Sequence, residues 1–183
     1  MKPKTLTLIA LLISALFVPA FAQDDFKPKT VFLVRHAEKE DEPKRDPPLK
    51  REGIARSQEL ARVLAGSNIK AIYTSQFIRT KQTAEPLATK LGLTAISITL
   101  KPNLDDLRLV AVESTAETVN KILQGSGENV LLVGHSNSIP DVIKLLGGDV
   151  VPTIDERKFD DLFVVTVYAK GKAKVTQLKY GAE

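Results

Sequence analysis

Cysteine is absent from all 183 residues, which excludes disulfides, thiolate catalysis and cysteine-based zinc sites. Histidine is nearly absent: the chain holds only two, His36 and His135, so a metal shell would depend on carboxylates for its remaining ligands. Neither sign of charge dominates, with 26 Lys and Arg against 22 Asp and Glu, and this near-balance gives no reason to invoke a nucleic-acid partner. Internal repeats and low-complexity segments are missing as well. The apolar run Thr5 to Val18 covers 14 residues, short of the roughly 20 a helix needs to cross a bilayer.

What is present begins with the features of an export leader. Basic Met1-Lys2-Pro3-Lys4 precedes that apolar run, and Ala20-Phe21-Ala22 supplies a small-residue exit. The expectation is a signal peptide over 1–22, cleaved after Ala22, and a periplasmic or secreted protein with no stable membrane anchor. No cysteine near the exit offers a lipid attachment point. Cleavage would leave 161 residues and lower the net charge from +4 to +2, because the leader carries Lys2 and Lys4 and no acid. That length suits one domain, 23–183, with a single well-buried core.

Within it, strand and helix patterns alternate. Thr30 to Val34 is a short, continuous apolar run of the kind buried on both faces of a sheet. A charged, proline-bearing loop from Glu38 to Pro48 leads to a helix over Leu49 to Leu64, with Leu49, Ile54, Leu60, Val63 and Leu64 on its inward stripe. Next come a strand at Lys70 to Thr74, a helix at Ile78 to Leu91 stopped by Gly92, and a strand at Ala95 to Thr99. A helix from about Thr115 to Leu123, a second strongly buried strand at Val130 to Val133, and a helix from Ser138 or Ile139 to Leu146 follow. Leu162 to Ala169 and Ala173 to Lys179 flank Lys170-Gly171-Lys172 as an edge hairpin. This order predicts a three-layer α/β/α sandwich with a mostly parallel sheet and an antiparallel C-terminal edge hairpin. In such sheets ligands lie outside the carboxyl ends of the strands.

Both histidines fall at those ends, each directly after one of the two most buried strand runs, so both are expected to face one cleft. Arg35 precedes His36, and Arg79 stands four residues beyond Ser75, where the second strand ends. A guanidinium fork matches phosphate oxygens, and phosphoryl transfer is mainly positioning and charge stabilisation. Two arginines and two histidines around one anion therefore suffice, with no metal and no cofactor.

Four segments in register, Val34-Arg35-His36-Ala37-Glu38, Leu49-Lys50-Arg51-Glu52-Gly53, Ser75 to Ala84 and Gly134-His135-Ser136, resemble the histidine phosphatase superfamily, which contains cofactor-dependent phosphoglycerate mutase. The resemblance spans Thr30 to about Gly148. It implies a phosphatase with His36 as nucleophile and Arg35, Arg79 and His135 as phosphate clamp, with Ser136 and Glu38 also at the substrate. Its partner would be a small phosphorylated molecule, such as a sugar or envelope saccharide phosphate. Many members carry a glutamate general acid after the third strand. Here only a short loop stands in that place, with Asp105 and Asp106 as nearest candidates, Glu113 behind them, and a solvated turn as the competing explanation.

Other readings stay open on sequence alone. Gly134-His135-Ser136-Asn137-Ser138 approaches a serine-hydrolase elbow with Ser136 as nucleophile, although no histidine follows it in the chain. A metal hydrolase could draw on His36, Glu38 and His135. A non-catalytic module could keep the clamp to capture phosphorylated ligands.

Overall fold

The structure, a computed structural model, describes residues 26–106, 110–125 and 128–181. The expected leader, 1–22, lies outside the described residues. Ten elements follow in order: β1 (Lys29–Arg35), α1 (Arg51–Leu64), β2 (Ile69–Ser75), α2 (Ile78–Leu91), β3 (Ile96–Ile98), α3 (Val112–Gln124), β4 (Asn129–Gly134), α4 (Ile139–Leu145), β5 (Asp161–Ala169) and β6 (Lys172–Lys179). The six strands form one sheet in the order β3-β2-β4-β1-β5-β6. Pairings among β3, β2, β4 and β1 are parallel, whereas β5 and β6 run antiparallel and close the sheet as the expected edge hairpin. Among the described residues no helix is long and apolar enough to cross a membrane.

The apolar runs of β1 and β4 are continuous because both faces of these central strands are covered. Val130 and Leu132 of β4 pack with Val119 and Ile122 of α3 and Val142 and Ile143 of α4. The alternate residues Leu131 and Val133 pack on the other face with Leu60 and Leu64 of α1 and Leu87 of α2. Side chains alternate across a strand, so one short run serves two cores and produces three layers. Burying a Leu or Ile of this kind contributes about 1.5–3 kcal/mol.

Two expectations about the helices need correction. Ile54 and Val63 do not join the inward stripe of α1; they are 49% and 38% exposed. The buried face consists instead of Gly53, Ser57, Leu60, Ala61 and Leu64. Small residues belong there because the helix lies against the loop after β1: a Cβ on Gly53 would stand 2.1 Å from the Glu38 carbonyl oxygen. Helix α3 starts at Val112, three residues before the expected Thr115. Its first inward residues are polar: the Ser114 hydroxyl accepts the Lys101 N–H at 3.0 Å, and the Thr118 hydroxyl donates back to the Ser114 carbonyl at 2.9 Å. An apolar period cannot register a turn that is buried through hydrogen bonds.

Candidate active site

The parallel register places the two histidines together. Arg35, the last residue of β1, is level with Gly134 of β4, so the next residue on each strand, His36 and His135, emerges at the same sheet end. The His36 N–H donates to the Gly134 carbonyl at 3.0 Å, and the two imidazole centroids lie 5.4 Å apart at 64°. The loop after His36 is tied to α2: the Ala37 N–H donates to the Thr83 hydroxyl at 2.9 Å, and that hydroxyl donates to the Arg79 carbonyl at 2.7 Å. Thus Arg79 is brought over the same strand end. A cleft of about 910 Å³ opens there, lined among others by Arg35, His36, Arg79, His135, Ser136 and Asp46.

Each side chain has a defined mount. His36 donates from Nδ1 to its neighbour's carbonyl, Ala37 O, at 2.8 Å, which leaves Nε2 as the lone-pair nitrogen of the neutral ring. Among the described residues Nε2 has no hydrogen-bond partner, yet it is not among the fully sealed unpartnered atoms, so it is open to the cleft. Arg35 donates from Nη1 to the carbonyls of Asp155, Glu156 and Lys158 at 3.3, 2.5 and 3.2 Å, and its guanidinium lies 4.3 Å over the Phe159 ring. The Arg79 guanidinium lies 4.3 Å over Phe77, with Nη1 3.5 Å from Asp46 Oδ1. The same Asp46 oxygen accepts the Ile78 N–H at 2.9 Å, at the start of α2. Nε of both arginines is buried without a protein partner.

Electrostatics keep both imidazoles neutral. His36 is pushed down to about 3, first by burial and then by Arg35, Arg79 and Lys39, while its bond to the Ala37 carbonyl pulls the other way. Burial likewise holds His135 well below the ordinary histidine value, with His36, Arg79 and Arg35 adding to it. Burial also lowers the values of Arg35 and Arg79. An imidazole that stays unprotonated beside two cations retains the lone pair a nucleophile needs.

Not every expected site residue belongs to this cluster. Glu38, expected at the substrate, does not line the cleft. Its carboxylate accepts two bonds from Arg56 Nε at 2.9 and 3.1 Å and pairs with Arg56 Nη2 at 2.9 Å, both side chains being 13% exposed. Asp105 and Asp106 do not line it either. Their N–H groups bond the Asn103 side-chain oxygen at 2.8 and 3.3 Å, the solvated-turn arrangement. Glu113 is exposed in the first turn of α3. Ser136 lines the cleft, but no hydrogen bond among the described residues joins it to a histidine. His135 Nε2 is engaged instead by Ser75 Oγ at 2.9 Å, against the serine-hydrolase arrangement. Among the described residues no three His, Asp or Glu side chains gather as a metal shell.

Sequence reasoning missed Asp46, Thr83, Phe77 and Phe159. The first three stand within or beside the recognised segments and carry no periodic signal; Phe159 reaches the site from the distant stretch before β5.

The family model of the histidine phosphatase superfamily (branch 1) matches residues 31–125, just over half of the chain. Among curated proteins no sequence matches significantly. Solved structures of similar fold include the protein histidine phosphatase SixA complexed with tungstate, at 21% identity and TM-score 0.63, covering 82% of this chain and 96% of that one. Phosphoglycerate mutase from Bacillus anthracis aligns at 15% identity and TM-score 0.65, over 84% and 94%. The mycobacterial glucosyl-3-phosphoglycerate phosphatase aligns at 14% identity and TM-score 0.61, over 86% and 100%. At such identities these likenesses establish the fold, and the family model, which ends before His135, establishes kinship: the chain belongs to the histidine phosphatase superfamily.

Proposed function

We propose that the chain is an exported phosphomonoesterase that hydrolyses phosphate esters through a phosphohistidine on His36. One observation carries the reading: His36 Nδ1 is tied to the Ala37 carbonyl and Nε2 faces the cleft unpartnered, beside His135 and the two guanidiniums. In the first step the Nε2 lone pair attacks phosphorus; the P–N bond forms, the P–O ester bond breaks, and the alcohol departs after gaining a proton. Water then attacks phosphorus and breaks the P–N bond, returning neutral His36 and inorganic phosphate. Arg35, Arg79 and His135 hold the equatorial oxygens in both steps, where transition-state charge accumulates.

A histidine phosphatase of similar fold was solved with tungstate, a tetrahedral oxyanion, which supports an oxyanion as the ligand. Asp46 is engaged by Arg79 and Ile78, and Asp105 and Asp106 belong to the Asn103 turn, so esters with good leaving groups suit the site best. The leader-like start supports a substrate outside the cytoplasm, such as an envelope saccharide phosphate or a scavenged phosphate ester. Lys39 and Arg45, which line the cleft, suit an anionic substrate.

The test is phosphate release from p-nitrophenyl phosphate together with acid-labile phosphate on the protein. His36→Ala should abolish both, and Arg79→Ala should lower kcat by about 10²–10³, as loss of a transition-state donor does. Near-normal phosphate release from the His36 variant would remove the proposal. Binding of phosphate esters by the wild-type chain without turnover or acid-labile phosphate would instead make it a capture module.

A further inference from the structure

Behind His135 lies a sealed file of hydroxyls whose protons have only one consistent order. The Thr80 hydroxyl oxygen lies 2.8 Å from the Phe77 carbonyl, 3.1 Å from the Ser75 carbonyl and 2.9 Å from Ser75 Oγ. A hydroxyl has one proton to give, and carbonyls only accept, so the Thr80 proton goes to a carbonyl. Towards Ser75 Oγ, then, Thr80 accepts. Ser75 thereby spends its single proton on Thr80 and can only accept from His135 Nε2 at 2.9 Å. The Phe77 N–H also points at Ser75 Oγ, at 3.4 Å, which reinforces its role as acceptor. Ser75 is 2% exposed and Thr80 fully buried, so no bulk water competes for these positions.

We propose that Ser75 and Thr80 are positioning residues that hold neutral His135 as its Nε2–H tautomer, leaving a bare Nδ1 so that binding of a phosphate dianion draws a proton onto the contact between them. The tautomer follows from the hydrogen-bond geometry alone; the proton uptake rests on the phosphate site proposed above. Among the described residues His135 Nδ1 has no partner, and like His36 Nε2 it is not among the sealed unpartnered atoms. Both imidazoles therefore offer lone pairs to the same space. A phosphate dianion is itself rich in lone pairs, and two acceptors facing each other repel unless a proton lies between them. The groups that act on His135 are His36, Arg79 and Arg35, and the two carboxylates that line the cleft, Asp46 and Glu156, are not among them. The proton comes from solvent, or enters with the substrate as its monoanion.

This arrangement divides the labour between the histidines. His36 Nδ1 is occupied by a carbonyl, which can never donate, so Nε2 is always the nucleophilic side of that ring. His135 is held by a hydroxyl chain, and its cleft-facing nitrogen becomes a charged donor only when an anion is present.

Two histidines in the entire chain make the test direct. Long-range proton–nitrogen correlation spectra of the labelled full chain, recorded at about pH 8 where phosphate groups are dianionic, should show His36 as Nδ1–H and His135 as Nε2–H. Ser75→Ala removes the acceptor and Thr80→Val frees the Ser75 proton to turn towards the ring; each should shift His135 towards Nδ1–H and leave the His36 signals in place. Calorimetry with inorganic phosphate, in two buffers of different ionisation enthalpy, should report uptake of close to one proton per phosphate in wild type and clearly less in Ser75→Ala. An Nδ1–H ring at position 135 in wild type, or phosphate binding without proton uptake, overturns the inference even if turnover through His36 persists. Absence of any phosphate binding overturns the uptake and the proposed function together while the tautomer stands.

Discussion

The two buried imidazoles should make the protein acid-sensitive from about pH 6.5 downwards, before the ion-paired carboxylates begin to lose their contributions. The fold holds His36 at about 3, against 6.5 for an exposed histidine, so unfolding takes up a proton wherever the pH lies between those values. Stability from this residue is full above about pH 6.5 and is lost as the pH falls below it. At pH 5 the unfolded ring is protonated and the folded ring, still far above its own value, is not. The loss then spans 1.5 pH units, about 2 kcal/mol at roughly 1.4 kcal/mol per unit. His135 is depressed first by burial and then by His36, Arg79 and Arg35, and adds a further loss of the same sign. The His36 share alone is a large part of a domain whose total is on the order of 5–15 kcal/mol. The carboxylates held low by ion pairs, Asp149, Asp155 and Asp160, begin to lose their contributions only near their ordinary value of 3.8. The assay is urea unfolding followed by circular dichroism at about pH 7.5, 6 and 5, without phosphate, because an anion that binds the folded state would add its own stabilisation. In His36→Asn, whose amide N–H stands where Nδ1 does, the drop between pH 7.5 and 5 should shrink by about 2 kcal/mol. Equal drops in wild type and variant would refute the assignment of the acid limb to a desolvated histidine.

Two further perturbations separate structural carboxylates from catalytic ones. Glu38→Gln takes the carboxylate away from Arg56 in a nearly closed pair, while Arg56 keeps its bond to the Tyr180 carbonyl, so the melting transition should fall by the equivalent of roughly 1–3 kcal/mol while kcat on a small ester stays within about twofold; a collapse of kcat with unchanged stability would return Glu38 to the substrate. Asp105→Asn and Asp106→Asn should each leave kcat within about twofold, because surface changes of this kind rarely alter more than local stability. A tenfold loss confined to esters with poor leaving groups would reinstate one of them as proton donor.

Much of this organisation was legible because buried strands are written locally. Thr30 to Val34 and Val130 to Val133 are continuous apolar runs, and the histidine after each was identifiable as a cleft residue from the rule on strand ends alone. The inward face of α1 was not legible. Its contact is made by backbone approaching backbone at Gly53, where the informative feature is a missing side chain and apolar period misleads towards Ile54 and Val63. Carboxylates were legible as residues but not as partners. Glu38 is two positions from His36 and serves Arg56, whereas Asp46, ten positions away between Arg45 and Pro47, reaches Arg79. Which charge meets which is decided by how a loop folds back on the sheet, and neither spacing nor composition carries that information.

The same loops explain how a cluster of this kind persists in the folded protein. The two guanidiniums repel each other in a partly dry cleft, and burial lowers the affinity of all four groups for a proton. The fold answers with acceptors placed behind the cations rather than in front of them. Three carbonyls before β5 take Arg35 Nη1, Asp46 takes Arg79, and Phe159 and Phe77 offer their ring faces. These supports leave buried Nε groups on both arginines unpartnered and both imidazoles with a lone-pair nitrogen open to the cleft. The guanidiniums thus keep donor capacity without a matching acceptor. A tetrahedral oxyanion supplies that acceptor, and its charge relieves the repulsion the supports only partly offset, so affinity for the anion arises from the cost of assembling the site without it.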